Sequence, residues 1–359
     1  MSTLLQRIGV RLPIVQAPMA GTSTPAMAAA VTNAGALGSI GVGAVDAQGA
    51  RGMIEALKEL TGGPFNVNVF THRPGAADPV RDQAWLAALK PVFEAFGAEP
   101  PAGLKEIYKS FLADEAMVEL LVEARPAVVS FHFGLPSAEV IARLKSGGIV
   151  LFSSATNLDE AEQAARAGVD AIVAQGWEAG GHRGMFDPAA PDSRLGVAAL
   201  TRLLVSRIPL PVIAAGGIMD GAGIAAMLDL GAVAAQLGTA FIACPESSAD
   251  PYHREALFGP GAFATEMTAV ISGRPARCLR NRFTALQNTE LKGLAVPDYP
   301  FVYDAGKALA TAAMARGEGG FGAQWAGQGA PLARAMPAAD LVMTLAEELK
   351  AAGRGLVVA

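Results

Sequence analysis

The sequence predicts an α/β fold, a (β/α)8 TIM barrel with an insertion after its third strand and a mostly helical lid subdomain after its eighth. Three observations predict it. Eight short apolar runs rich in branched residues alternate with helix-length, alanine-rich segments, a rhythm that calls for a parallel sheet. Hydrophobic residues make up 52% of the 359 positions and charged residues 17%, which supplies a large core and argues against disorder. Several runs also end abruptly in a polar residue or glycine, and barrels place function on the loops beyond the carboxyl ends of their strands.

Strands are expected at 13–17, 36–40, 65–69, 127–131, 149–152, 170–174, 211–215 and 233–237, each closed by Gly, Pro or a polar residue. Helices are expected between them at 24–33, 47–60, 137–145, 157–167, 195–207 and 220–230. Thr24 ahead of Pro25 reads as a helix start with proline in the first turn; Asn157 and Asp220 read as N-caps, and Gly35, Gly168 and Gly231 as stops. The barrel is expected to occupy 1–243. Within it, about 72–123 is longer than one crossover helix needs and is punctuated by Pro74, Pro79, Pro91, Pro100 and Pro101, so it reads as an insertion. After Cys244 the eighth unit does not close. A lid or substrate subdomain is expected over 244–325, with the loop or hinge GEGGFG at 317–322. The remainder, 326–359, holds an amphipathic helix at 337–352 that is expected to return to the barrel.

Composition excludes several functions. The net charge is −5 with no basic tract, which argues against a nucleic-acid partner. No apolar run reaches the about 18 residues of a membrane span, and Pro13 interrupts any signal-peptide pattern, so the chain is expected in the cytoplasm. Cys244 and Cys278 cannot by themselves build a disulfide framework or a structural zinc site. There is no HExxH, CxxC or spaced carboxylate cluster, so no metal is expected; G-x-S-x-G is absent, and GVGAVD at 41–46 lacks the third glycine of a Rossmann fingerprint.

The chain is organised around DAIVAQGWEAGGHR at 170–183: a buried strand, then Gln175 at its tip, then Glu178, Gly180, Gly181 and His182. PVIAAGGI at 211–218 and VAAQLGTA at 233–240 repeat the form. Barrels commonly bind phosphate with the loops after strands 7 and 8, here Ala215-Gly216-Gly217 and Gln236-Leu237-Gly238-Thr239. Bare glycine N–H groups and the Thr239 hydroxyl suit that role, although either loop alone also reads as a tight turn. Asn66 and Asn68 share one strand face; the Asn68 amide suits the edge of a flavin pyrimidine or simply a neighbouring backbone, and Gln175 is placed likewise. Met19, in the turn Ala17-Pro18-Met19-Ala20, suits packing beside a flavin ring or a core proline turn.

Of the four histidines, His132 falls just past strand 4 between two phenylalanines, placed to act as a base or hydrogen-bond donor. His72 and His253 read as satisfied structural residues, and the role of His182 stays open. The four tyrosines, Tyr108, Tyr252, Tyr299 and Tyr303, all fall in the insertion and the lid; Lys307 follows Tyr303 at i, i+4. Over the barrel mouth they would suit a small anionic substrate; otherwise they form an ordinary amphipathic surface.

These motifs together make the sequence resemble the nitronate monooxygenases. The likeness is carried by QAPMAGTSTPAMAAAVTNAGALGSIG, FNVNVF, SFHFGLP, AQGWEAGGHRG, PVIAAGGI and AAQLGTAF, and extends from about 13 to about 307. SFHFG looks like the class I branch. The resemblance implies FMN contacts at Met19, Asn68, Gln175, Gly180, Gly181, Gly217, Gln236, Leu237, Gly238 and Thr239, catalysis by His132, and a pocket at Tyr108, Tyr252, Tyr299, Tyr303 and Lys307. It further implies one-electron oxidation of an alkyl nitronate such as propionate 3-nitronate, with O2 as final acceptor, giving a carbonyl compound and nitrite in a monomer or homodimer. Other readings share the barrel: an FMN reductase drawing on NAD(P)H, and a non-redox isomerase or lyase holding a sugar phosphate. A flavin-binding module without catalysis is a further one, which a histidine at a strand tip argues against.

Overall fold

The computed structural model describes residues 3–353. Eight parallel strands follow the expected runs: β1 (Ile14–Gln16), β2 (Gly38–Gly41), β3 (Phe65–Phe70), β4 (Val128–His132), β5 (Val150–Ala155) and β6 (Ala171–Gln175), then, after a two-residue strand β7 (Gly181–His182), β8 (Val212–Ala215) and β9 (Ala234–Leu237). Their order is β1-β9-β8-β6-β5-β4-β3-β2. Leu37 closes the remaining seam, donating its N–H to Ile14 O at 3.0 Å and accepting from Gln16 N at 2.9 Å. The sheet is therefore a closed barrel, as the alternation predicts.

Sequence signals set the helix ends. The barrel helices are α2 (Pro25–Asn33), α3 (Ala47–Leu60), α5 (Glu115–Ala124), α6 (Ala138–Ser146), α7 (Leu158–Ala167), α8 (Val197–Arg207) and α9 (Gly221–Asp229), with a short α1 (Thr3–Ile8) before them and α4 (Pro79–Glu94) in the insertion. Thr24, Asn157 and Asp220 are extended, and their side-chain oxygens accept from Met27 N at 3.0 Å, Glu160 N at 2.9 Å and Gly223 N at 2.8 Å. Gly168 ends α7 at φ +90°, a left-handed position that favours glycine. Leu4, Leu5 and Ile8 of α1 pack with Val15, Val128, Val150 and Ile213, which stoppers the amino-terminal end of the barrel. Function is left to the other end.

Past β9 the chain continues through α10 (Thr239–Ile242), α11 (Pro251–Phe258), β10 (Thr265–Thr268), β11 (Ala276–Leu279), α12 (Arg282–Ala285) and α13 (Phe301–Met314), and finishes in α14 (Ala338–Ala351). Leu341, Val342, Leu345 and Leu349 of α14 pack with Met27, Val31, Ile224 and Met227, so this last helix takes the eighth helix position, between α2 and α9. The insertion and the lid share a core of their own: Trp85, Leu86, Leu89 and Phe93 of α4 meet Phe283, Leu309, Ala313 and Phe321. β10, β11 and β7 form a small antiparallel sheet in which Ala276 and Arg277 pair with His182 and Gly181, tying the loop after β6 to the lid. The 317–322 loop is pinned. Glu318 pairs with Arg282 at 2.6 Å and accepts from Gly320 N at 2.7 Å, while a Cβ on Gly319 would strike the Tyr252 ring. Among the described residues no helix is long and apolar enough to cross a membrane.

Candidate active site

A cavity of about 600 Å³ lies at the carboxyl ends of the strands, roofed by the lid residues Ile271, Tyr303, Lys307, Ala310 and Trp325. Its size is that of a pocket for a cofactor and a small second ligand. Most residues expected at the site line it: Met19, Asn68, His132, Gln175, Gly180, Gly181, Gly217, Gln236, Gly238 and Thr239 from the barrel, and Tyr108, Tyr299, Tyr303 and Lys307 from the insertion and lid. Two do not. The Leu237 side chain is buried in the core with Ile14 and Phe241, because it faces the helix layer from β9. Tyr252 lies against Gly319 and is not in the lining, although Asp250 and His253 beside it are.

One end of the cavity is made of backbone. Gly216 and Gly217 turn away from β8 at φ +127° and +68°, values only glycine adopts cheaply. Among the described residues no protein acceptor is bonded to the N–H of Gly217 or Gly238. A Cβ on Gly238 would stand 3.4 Å from Ala17 Cβ and 3.7 Å from Met19 Sδ, in the space the cradle leaves open. The Thr239 hydroxyl accepts from Gly327 N at 2.9 Å, which leaves its own hydrogen to donate. Uncommitted N–H groups, a hydroxyl and no opposing carboxylate fit a phosphate.

In the middle of the cavity Asn68 Nδ2 donates to Ser130 O at 3.0 Å and to Ser130 Oγ at 2.9 Å, leaving Oδ1 for a ligand. Gln175 Nε2 donates to His182 O at 2.9 Å and its Oε1 accepts from Gly184 N at 2.7 Å, which leaves one Nε2 hydrogen and one Oε1 lone pair at the cavity wall. Its amide holds the loop after β6 in place.

His132 ends β4, and both ring nitrogens are engaged. Nε2 lies 3.2 Å from His182 O and Nδ1 lies 2.9 Å from Ser154 Oγ. A carbonyl only accepts, so the proton sits on Nε2 and the basic lone pair on Nδ1 faces the Ser154 hydroxyl. Gly184 permits this arrangement, since a Cβ there would be 2.8 Å from His132 Cε1. Burial lowers the imidazole to about 4, so it is neutral at physiological pH. His182 bonds Ser272 Oγ at 2.8 Å and sits among Phe133, Tyr299 and Trp325; burial lowers it to about 3. His72, expected to be satisfied, is fully buried with neither ring nitrogen bonded, its ring edge-on to Tyr299 at 4.9 Å. Aromatic packing substitutes for a partner there, and burial lowers His72 to about 4, which keeps it uncharged.

Beneath the roof Tyr108, Tyr299 and Tyr303 converge, with ring centroids 6.3 and 5.7 Å apart for Tyr108–Tyr299 and Tyr108–Tyr303. The i, i+4 spacing on α13 does bring Lys307 over its neighbour: Nζ stands 5.5 Å from the Tyr303 ring and 5.0 Å from that of Tyr108. Burial raises all three phenols, which stay neutral donors, and lowers the Lys307 ammonium. The carboxylate in the lining, Asp250, caps α11 through His253 N at 2.9 Å. The chamber therefore presents hydrogen-bond donors and positive charge to an anion.

Several residues of the site escaped the sequence reading. Ser130 lies two positions before His132 on the same strand face, and Ser154 belongs to a hydroxyl pair at the tip of β5; both follow from strand alternation once the strands are placed. Trp325 and Ser272 carry no local signal.

Comparison with known proteins is consistent across three searches. The sequence model of a family described as nitronate monooxygenase matches residues 1–348. A nitronate monooxygenase of Paraburkholderia phytofirmans is 62% identical over 347 residues, 97% of this chain and 94% of that one. One of Pseudomonas aeruginosa is 56% identical over 344 residues, 96% of this chain and 97% of that one. Among solved structures, a nitroalkane oxidase from Streptomyces ansochromogenes superposes with a TM-score of 0.89 at 40% identity, covering 98% of this chain and 99% of its own.

Proposed function

The chain belongs to the nitronate monooxygenase family, and from that membership we propose that it binds FMN and oxidises alkyl nitronates, propionate 3-nitronate among them, with O2 to a carbonyl compound and nitrite. The observation that carries this reading is the pairing within one cavity of a phosphate-fitting glycine cradle with an aromatic, cation-bearing chamber that presents no free carboxylate. Gly217, Gly238 and Thr239 would hold the cofactor phosphate, and Met19 and Asn68 would flank its ring. FMN, when bound, supplies a one-electron acceptor that no side chain can provide. The protein binds and orients the substrate. Tyr108, Tyr303 and Lys307 receive its anionic end, and the roof under α13 and Trp325 excludes water.

A nitronate arrives already deprotonated, so its oxidation asks for no base; a hydrogen-bond donor to the nitro oxygens is enough. For a neutral nitroalkane the α-proton must first leave, and Nδ1 of His132, the unprotonated ring nitrogen, would take it with the Ser154 hydroxyl turned off that lone pair. The test is an absorbance spectrum of the purified protein, then O2 consumption and nitrite release with propionate 3-nitronate, nitroethane and NADH. A flavin spectrum with nitrite formed from the nitronate is expected. A colourless protein, or anaerobic bleaching by NADH without nitrite formation from nitronates, overturns the reading. His132→Asn should damage nitroalkane turnover far more than nitronate turnover, and equal loss on both refutes the base role.

A further inference from the structure

We propose that Arg274 sets the charge preference of this site: its buried guanidinium, standing behind Phe133 with no carboxylate partner, favours a substrate that enters as an anion over the same compound entering as its neutral acid. The proposal rests on the nitronate reading for its substrate and on geometry for its residue. Three arginines of the described chain are buried, Arg183, Arg274 and Arg277. Arg183 is neutralised by Asp192, with Nε and Nη2 donating at 2.8 and 3.0 Å. Arg277 spreads its bonds over Trp177 O and Thr265 Oγ1 from three nitrogens. Arg274 has neither arrangement. Its Nη2 donates to Met185 O, its Nε is buried without an acceptor, and it is only 4% exposed. Glu160 and Asp187 act on it only from a distance, and Glu160 is committed to Thr156 and Phe186.

What Arg274 does touch is Phe133, a buried ring one layer behind the cavity lining. Its guanidinium carbon stands 4.3 Å over the Phe133 ring, and that ring lies 4.5 Å from His132, 5.6 Å from His182 and 5.7 Å from Tyr299. Phe133 reaches this position at φ +82°, a strained backbone for a side chain of its size. A buried cation without a counter-ion is expensive, and the cost falls when an anion occupies the adjoining cavity. The same charge opposes protonation of His132 and His182, so it is not duplicated by them. Lys307 sits on α13 in the cavity lining, over two tyrosines, whereas Arg274 stands behind Phe133 and acts across that ring. The plain alternative is a bolt: the bond to Met185 O would merely join the lid to the loop after β6.

Arg274→Met, Arg274→Gln and Arg274→Lys separate the two roles in the flavin-loaded enzyme. Gln keeps a donor for Met185 O without the charge, which guards against simple loss of folding in the Met variant. Nitrate, an unreactive planar oxyanion, serves as the binding probe, read by perturbation of the flavin spectrum or by calorimetry. Removing the charge should raise the nitrate Kd at least tenfold in Met and Gln, and should cut the ratio of kcat/KM for ethyl nitronate over nitroethane at least tenfold, chiefly through KM. Lys should stay within threefold of wild type on both. Nitrate binding within twofold of wild type in Gln, or a loss in Lys equal to that in Gln, overturns the proposal in favour of the bolt. Wild-type enzyme that releases no nitrite from ethyl nitronate refutes the assigned reaction instead, and the nitrate comparison still decides the role of Arg274.

Discussion

Ser154 Oγ lies 2.9 Å from Nδ1 of His132, on the lone pair that the His182 carbonyl leaves basic. His182 O takes the Nε2 proton, so the serine hydroxyl must donate to the other lone pair. Ser154→Ala removes that donor and leaves the ring oriented by His182 O alone. Proton abstraction from nitroethane should then fall by about tenfold, part of the about 10²–10⁴-fold that a positioned general base supplies, while ethyl nitronate turnover should change by less than about threefold, because no proton is removed from it. Gly184→Ala should do the same by displacing the ring, since its Cβ would stand 2.8 Å from Cε1. Steady-state kinetics on both substrates give the answer, and parallel losses would mean the contact is only structural.

All four histidines are held neutral, and that makes the fold acid-sensitive. Burial lowers His72, His132 and His253 to about 4 and His182 to about 3, against about 6.5 in an unfolded chain. Between those values the unfolded state binds protons that the folded state refuses. Stability is thus fully present above the ordinary histidine range and is lost as pH falls from about 6.5 toward 4, each group contributing up to about 1.4 kcal/mol per pH unit. Urea unfolding at pH 7, 6 and 5 should show a slope approaching four bound protons near pH 5. A flat profile across that window would contradict the burial of these rings.

The barrel was legible because its signals are local. Apolar runs, caps such as Asn157 and stops such as Gly168 act within a few residues, and the expected strands and the observed ones differ by no more than three residues at either end. His132 and the Tyr303–Lys307 pair were legible for the same reason, one as a strand tip and the other as a helix spacing. The site's inner contacts were not. Gln175 also bonds His182 O and Gly184 N, partners set by loop geometry that the strand pattern does not encode. β7, β10 and β11 are too short to alternate, and Arg274 meets Met185 across a separation of 89 residues with no periodic trace. Tyr252 is the one expected tyrosine outside the cavity lining: its ring packs near Gly319, a contact no spacing announces.

Lys307 should matter most for substrates with a second negative charge. Its ammonium, on an exposed residue and lowered by desolvation, stands over Tyr108 and Tyr303 at the roof of the chamber, where a carboxylate distal to the nitronate carbon would emerge. Lys307→Met keeps the aliphatic contact with the rings and removes the charge. A charge-assisted bond is worth about 1.5–3 kcal/mol, so KM for propionate 3-nitronate should rise by about tenfold or more, and KM for ethyl nitronate much less. An equal rise for both substrates would show that Lys307 only props the two phenols.

Gly217 offers the sharpest check on where a phosphate would sit. Its φ of +68° is left-handed, and a Cβ added there would lie 3.1 Å from Glu178 Cβ, itself fixed because Glu178 accepts from Val197 N at 2.8 Å. Gly217→Ala therefore strains the turn by about 1–2 kcal/mol and shifts its N–H away from the cradle. Global stability should fall by no more than that, because the turn lies outside the packed core. Flavin content should fall much further, since a cradle of backbone donors works only when each N–H converges on the same oxygens. The two readouts are the ratio of flavin to protein absorbance after purification and the urea midpoint of the flavin-free protein. Full flavin occupancy in this variant would move the phosphate away from the loop after β8, and with it the orientation proposed for the ring.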